Sequence, residues 1–131
     1  MDLQNKVAIV TGGASGLGRA TVDELARRGA RIAIFDLNAA AGAEAVAQLG
    51  GERAVFHAVD VASAAAVEAA IAQVVAKFGA IHVLINCAGI GPAKKILDRD
   101  NAPMPLEDFT KVIGINLTGS FNVARSAAAA M

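Results

Sequence analysis

Eight residues, Thr11-Gly12-Gly13-Ala14-Ser15-Gly16-Leu17-Gly18, form the stretch best suited to chemistry. They follow Lys6-Val7-Ala8-Ile9-Val10, whose valines and isoleucine read as a buried strand, and they lead into a segment with helical spacing. Glycine lets the chain turn sharply and lets a ligand approach the backbone. A helix starting there offers unpaired N–H groups and a positive dipole end to an anion. The implied chemistry is phosphate binding. The spacing is Gly12-x-x-x-Gly16-x-Gly18 rather than Gly-x-Gly-x-x-Gly. A triphosphate loop beginning at Gly13 would need Lys and Ser or Thr where Arg19 and Ala20 stand, which argues against a nucleoside triphosphatase.

A second feature is Asp36, at the end of the run Arg31-Ile32-Ala33-Ile34-Phe35 and 18 residues past Gly18. A carboxylate about 20 residues beyond a glycine turn can accept hydrogen bonds from the hydroxyls of an adenosine ribose and repel a 2′-phosphate. Capping the following helix is the other role open to it. No Arg or Lys occupies position 37 or 38, so NAD is favoured over NADP. Asp60-Val61 lies at the carboxyl end of a third apolar run, where ligands of open parallel sheets bind. Asn116 falls on a helical stripe with Phe109, Ile113 and Ser120, and an amide there costs stability unless it is bonded. His57 and His82 lie in strand-like runs without ligand-spaced partners, so no metal site is expected. Cys87 has no histidine in a nucleophile motif and reads as a small packed residue.

Elements to position these groups alternate along the chain. A first helix is expected from about Gly16 to Arg28, with Gly18, Val22, Leu25 and Gly29 inward and Arg19, Asp23 and Arg27 outward. Asn38 caps a second helix with Gly42, Val46 and Leu49 inward; Ser63 caps a third with Val67, Ile71, Val74 and Phe78 inward. Strands are expected at Ala54–Val59 and Ile81–Ile85, the latter running into Asn86-Cys87-Ala88-Gly89. Gly91 to Pro105 reads as an irregular loop, and a long helix starts at Leu106. Strand–helix alternation with right-handed crossovers gives an α/β, doubly wound parallel sheet.

A chain of 131 residues with 55% hydrophobic residues fits one domain whose strands are covered on both faces. Twelve basic and twelve acidic residues cancel, which removes the electrostatic footprint of a nucleic-acid or anionic-membrane binder. The first residues carry no signal-peptide pattern and no apolar run reaches spanning length, so a cytoplasmic protein is expected. A single cysteine excludes an internal disulfide and suits a reducing compartment.

Thr11-Gly12-x-x-x-Gly16-x-Gly18, Asp36, Asp60-Val61, Asn86-Cys87-Ala88-Gly89 and Asn116 fall in the order seen in short-chain dehydrogenases/reductases, a family the chain resembles along its whole length. The resemblance implies a Rossmann fold with NAD as cofactor. It puts Ser15, Gly16 and Leu17, with Gly12 and Gly18, at the pyrophosphate and Asp36 at the adenosine ribose. Asp60 and Val61 would flank the adenine, Cys87, Ala88 and Gly89 the nicotinamide ribose, and Asn86 would brace the sheet. Asn116 matches the family's catalytic asparagine, which kinks its helix and helps hold a water in the proton relay. Asn86-Cys87-Ala88-Gly89-Ile90, the long loop and Gly119-Ser120-Phe121-Asn122-Val123 look most like type-2 3-hydroxyacyl-CoA dehydrogenases. Lys94, Lys95 and Arg99 are loop cations that either meet an acyl-CoA phosphate or stay solvated.

The family's Ser and Tyr-x-x-x-Lys are expected beyond residue 131, and the chain contains no tyrosine. Residues 1–131 therefore read as an NAD-binding Rossmann domain, the N-terminal half of a larger single-domain enzyme, stopping after the fourth strand and the long helix. The fourth strand would then expose an apolar edge. Expected partners are a secondary alcohol or acyl-CoA substrate, the C-terminal half, and further copies in a dimer or tetramer. The chain alone should not turn over. Two other readings remain: an NAD(H)-binding sensor without turnover, and a methyltransferase on a similar sheet, against which the glycine spacing argues.

Overall fold

The structure is a computed structural model and describes all 131 residues. Its elements are β1 (Val7–Thr11), α1 (Gly16–Arg27), β2 (Arg31–Asp36), α2 (Ala39–Leu49), β3 (Ala54–Ala58), α3 (Ala64–Phe78), β4 (Val83–Asn86), α4 (Leu106–Ile113), a π-helical segment (Gly114–Gly119) and α5 (Ser120–Ala130). All four strands are parallel, in the order β3-β2-β1-β4. This is the doubly wound, Rossmann-type arrangement that the strand–helix alternation implies.

Alternate residues of a strand face opposite sides, and the core divides accordingly. Val7, Ile9, Ala33 and Phe35 join α3 and α5 on one face through Val67, Ile71, Val74, Val123 and Ala127. Ala8, Val10, Ile32 and Ile34 meet α1 and α2 on the other through Val22, Ala26 and Ala45. Because helices cover both faces, β1 is buried throughout and has no polar alternation. β4 is the outer strand beside β1, and its Val83, Leu84 and Ile85 are only half-buried. No helix is long and apolar enough to cross a membrane.

The local chemistry sets the element ends. Asn38 accepts the Ala41 N–H at 3.0 Å and Ser63 accepts the Ala66 N–H at 3.3 Å, so both act as the expected caps. Gly79 closes α3 in the left-handed region at φ 84°. Several boundaries differ from the sequence reading. β3 ends at Ala58, and β4 begins at Val83 rather than Ile81. His82 precedes β4 instead of lying within it, and its Nδ1 accepts the Val7 N–H at 3.0 Å, so a side chain takes the place of a ladder carbonyl. The buried residues of α2 are Gly42 and Ala45, with Val46 and Leu49 half-buried, because Gly42 lies directly against the Phe56 ring of β3. Arg27 pairs with Glu24, not with Asp23.

The long helix departs most. None of α4 is fully buried, and the buried residues beyond it are Gly119, Asn122, Val123 and Ala127. A π-helical turn widens the i→i+4 repeat to i→i+5, so the inward face changes phase along the helix. The loop from Gly91 to Pro105 is irregular as expected, with one isolated antiparallel bridge between Leu97 and Pro103.

Candidate functional site

The chain runs outward from β1 through β2 to β3, then returns to the other side of β1 as β4. Adjacent connections leave in opposite directions at such a reversal, which opens a crevice at the carboxyl ends of the strands. A crevice of about 410 Å³ lies there. Its wall includes Gly12, Ser15, Gly16, Leu17 and Gly18 from the turn after β1 and Asp36 from the end of β2. Asp60 and Val61 line it after β3, and Cys87, Ala88 and Gly89 after β4. Eleven residues from four separate turns, singled out from sequence as cofactor-binding candidates, thus share one wall. Asn116 is not part of that wall, although its neighbour Ile115 and its partner Ile90 are.

In the glycine turn, Ser15 stands at the N-cap of α1 in extended conformation, and its hydroxyl caps nothing. The first amides of α1 therefore lack a side-chain acceptor and remain open to an anion. Gly12 and Gly16 adopt φ of 64° and 53°, the left-handed region that favours glycine. Gly18 serves a different need. A Cβ there would lie 2.0 Å from the Gly12 carbonyl oxygen, so the start of the helix touches the start of the turn.

Asp36 closes the turn from the other side. Its Oδ2 accepts the Ala14 N–H and its Oδ1 the Asn38 N–H, each at 3.0 Å. It does not cap α2, since Asn38 does. A carboxylate offers about four acceptor positions, so with two used about two remain for vicinal hydroxyls. Arg19, on the helix that leaves the turn, is engaged by Asp23 and Gln48. Asp60 forms its own turn, Oδ1 accepting the Ala62 N–H at 2.9 Å.

Two polar residues assigned no role of their own from sequence, Thr11 and Asn122, hold separate parts of the wall. Buried Thr11 accepts the Cys87 and Ala88 N–H groups at 3.1 Å with its Oγ1, and it donates to Asn86 Oδ1 at 3.3 Å. Asn86 also donates to the Ser120 carbonyl at 3.2 Å, so it joins β1, β4 and the start of α5. Buried Asn122 donates from Nδ2 to the Val61 carbonyl at 2.8 Å, and its Oδ1 accepts from Arg125. A polar residue beside Val123 on an otherwise apolar helix face was the available signal for it. Cys87 is half-buried and lines the crevice, so it is not merely a packed core residue.

Asn116 sits in the π-helical segment. Its amide makes one bond in each direction to Ile90. Oδ1 accepts the Ile90 N–H at 2.9 Å and Nδ2 donates to the Ile90 carbonyl at 2.8 Å, while its own carbonyl accepts from Ser120 Oγ at 2.7 Å. Asn116 and Phe109 of that stripe are exposed, so the expected cost of burying an amide there does not arise.

The short chain dehydrogenase profile matches residues 6–131. The chain belongs to the short-chain dehydrogenase family. Among curated members, the 3-hydroxyacyl-CoA dehydrogenase type-2 of Drosophila melanogaster is 45% identical over 130 residues, 98% of this chain and 51% of the relative. The human 3-hydroxyacyl-CoA dehydrogenase type-2 is 44% identical over 126 residues, 95% of this chain and 48% of the relative. The D-threitol dehydrogenase of Mycolicibacterium smegmatis is 47% identical over 125 residues, 91% of this chain and 45% of the relative. This short-chain dehydrogenase sequence thus spans about half the length of the curated relatives it matches.

Proposed function

We propose that residues 1–131 form the NAD-binding part of an oxidoreductase that interconverts a secondary alcohol and a ketone, with 3-hydroxyacyl-CoA as the substrate class. The observation that carries the reading is the crevice shared by the glycine turn, Asp36, Asp60-Val61 and Cys87-Ala88-Gly89. The residues present fit a dinucleotide. Free amides at the start of α1 suit its diphosphate, and the spare acceptor positions on Asp36 suit the adenosine ribose. Val61, with Val59 beside it, offers an apolar flank for the adenine. The half-buried Cys87-Ala88 turn, fixed by Thr11, borders the nicotinamide ribose.

A bound nicotinamide supplies the hydride acceptor. The chain's own residues bind and orient it. Asn116 fixes Ile90 and so the mouth of the crevice above β4. With no tyrosine in 131 residues, proton transfer from the alcohol is assigned to no residue here, and the chain alone binds without turning over. The exposed Leu106, Phe109, Leu117 and Phe121 of the long helix give a second copy an apolar surface to cover, which supports a homo-oligomer. The type-2 3-hydroxyacyl-CoA dehydrogenases in two animals support the substrate class.

Calorimetric titration with NADH and NADPH tests the reading. NADH should bind more tightly than NADPH. Asp36→Ala should weaken NADH by about 10- to 100-fold, since hydrogen bonds to a charged group are worth about 1.5–3 kcal/mol. Equal affinity for the two cofactors, or an unchanged NADH affinity in the variant, refutes the assignment of Asp36.

A further inference from the structure

At the far end of the strands from the crevice, the segments entering the sheet gather arginines. Arg27 and Arg28 end α1, Arg31 opens β2, and Arg53 immediately precedes β3. With Gln4 and Asn5, which precede β1, they line a depression of about 560 Å³ that has no hydrophobic residue in its wall. The five residues of β1, at about 3.3 Å each, separate this depression from the glycine turn.

Little in the fold balances that charge. Glu24 is the one carboxylate paired there, bound to Arg27 at 2.8 Å and Arg28 at 2.6 Å. Hydrogen bonds from Arg27 and then Arg28 draw its carboxyl down to about 2, so it stays ionised and committed to them. Arg31 and Arg53 form no ion pair. Arg53 donates to the Ala26 carbonyl at 2.6 Å, and Arg31 to the Asn5 carbonyl at 3.3 Å. The Arg31 guanidinium also lies 5.3 Å from the centre of the Phe78 ring, and its buried Nε has no hydrogen-bond partner.

A service role at the carboxyl end of α1 accounts for only part of this. A helix end carries about half a negative charge, against four guanidinium groups and one carboxylate. The whole chain has a formal net charge of zero, so the excess is local rather than a general basicity. Guanidinium groups are planar, weakly hydrated and matched to phosphate oxygens by their paired N–H groups. The side-chain amides of Gln4 and Asn5 add further polar groups to the wall.

We propose that this depression binds a phosphorylated anion, with Arg31 and Arg53 as principal ligands and Arg28 as a third. The site is independent of the crevice, and a compact anion occupying it would join the loops that lead into β1, β2 and β3.

Inorganic pyrophosphate is the probe, added to the ¹⁵N-labelled full chain while backbone amide shifts are followed. Asn5, Gly29 and Arg53 report this depression, and Gly12 to Gly18 report any separate entry into the glycine turn. Saturating shifts are expected at the first set, with the dissociation constant raised about tenfold by Arg31→Gln. Arg53→Gln forfeits the bond to Ala26, so Arg28→Gln provides a variant with less structural burden, as the Arg28 side chain is 60% exposed. It should weaken binding about threefold. Shifts confined to Gly12–Gly18, non-saturating shifts up to about 10 mM, or unchanged affinity in both Arg31→Gln and Arg28→Gln overturn the proposal. Saturation by a hexaglutamate peptide with no response to pyrophosphate also overturns it, in favour of a protein partner.

Discussion

Replacing Gly18 by alanine separates two reasons for glycine in one turn. The Gly18 backbone is not in the left-handed region, so alanine meets no conformational penalty there. As a helix residue it gains about 0.5–1 kcal/mol over glycine. Against this, the new Cβ lies 2.0 Å from the Gly12 oxygen and 2.6 Å from the Gly12 carbonyl carbon, both backbone atoms. Ordinary contact begins near about 3.5 Å, so the helix start and the turn must part by about 1.5 Å. Overpacking of this kind costs about 1–3 kcal/mol, and a backbone obstacle puts it near the top of that range. The net expectation is a loss of about 2 kcal/mol. In a chain of this length that corresponds to a melting temperature lower by roughly 6–10 °C, read by circular dichroism. Gly16 provides the contrast, because its φ is 53° but nothing lies within 4 Å of an added Cβ. Gly16→Ala should cost about 1–2 kcal/mol, and Gly16→Asn should recover part of it, since asparagine tolerates that conformation. Gly18→Asn should recover nothing. If Gly18→Ala melts at the parent temperature, or if asparagine restores both positions equally, the close-contact account of Gly18 is wrong.

Asn122→Leu leaves the buried Val61 carbonyl without its donor and should cost about 1–3 kcal/mol in urea unfolding. It should also weaken NADH binding, whereas Val123→Ala, on the same buried face but without a bond to Val61, should lose stability and keep affinity. Equal affinity losses in both would make Asn122 a packing residue only. Burial lowers the His57 pKa below its ordinary value, with Lys77 adding to the effect and Gln73 opposing it. The unfolded chain therefore takes up a proton as pH falls through about 6.5 while the folded chain still resists it, so stability is lost below that pH. His57→Gln should flatten the fall in melting temperature between about pH 7 and pH 5, and an unchanged slope refutes the assignment.

The parts of the fold readable in advance are those where one local rule decides. β2 spans Arg31–Asp36 as read, because an Ile-Ala-Ile-Phe run between a glycine stop and a carboxylate leaves no rival. Asn38 and Ser63 cap their helices because a short polar side chain before an apolar helical run has one obvious acceptor task. The readings that failed depend on neighbours remote in sequence. The inward face of α2 was set by the Phe56 ring pressing on Gly42, which no helical periodicity encodes. His82 looked like a strand residue because its flanks are apolar, yet its ring serves as an acceptor 75 positions away in the chain. At the site, the carboxylate and glycine positions were legible because their spacing is itself a geometric requirement. The roles of Thr11 and Asn122 were not, because the crevice groups they hold are backbone groups that carry no residue identity in the sequence.

Asn116 lies within the π-helical turn of the long helix and Asn122 lies three residues beyond it. Asn116 grips Ile90 at the end of the β4 turn, and Asn122 grips Val61 after β3, so one helix holds two separate stretches of the crevice rim. In an uninterrupted α-helix six residues advance about 600°, leaving the two amides roughly 120° apart around the axis. The segment Gly114–Gly119 covers most of the interval between them and winds more slowly, which alters that angle. Gly119 completes the fit, since a Cβ there would come within 2.6 Å of the Val61 side chain. The helix therefore ties together the turns after β3 and β4, which the sheet order β3-β2-β1-β4 already sets three strand spacings apart.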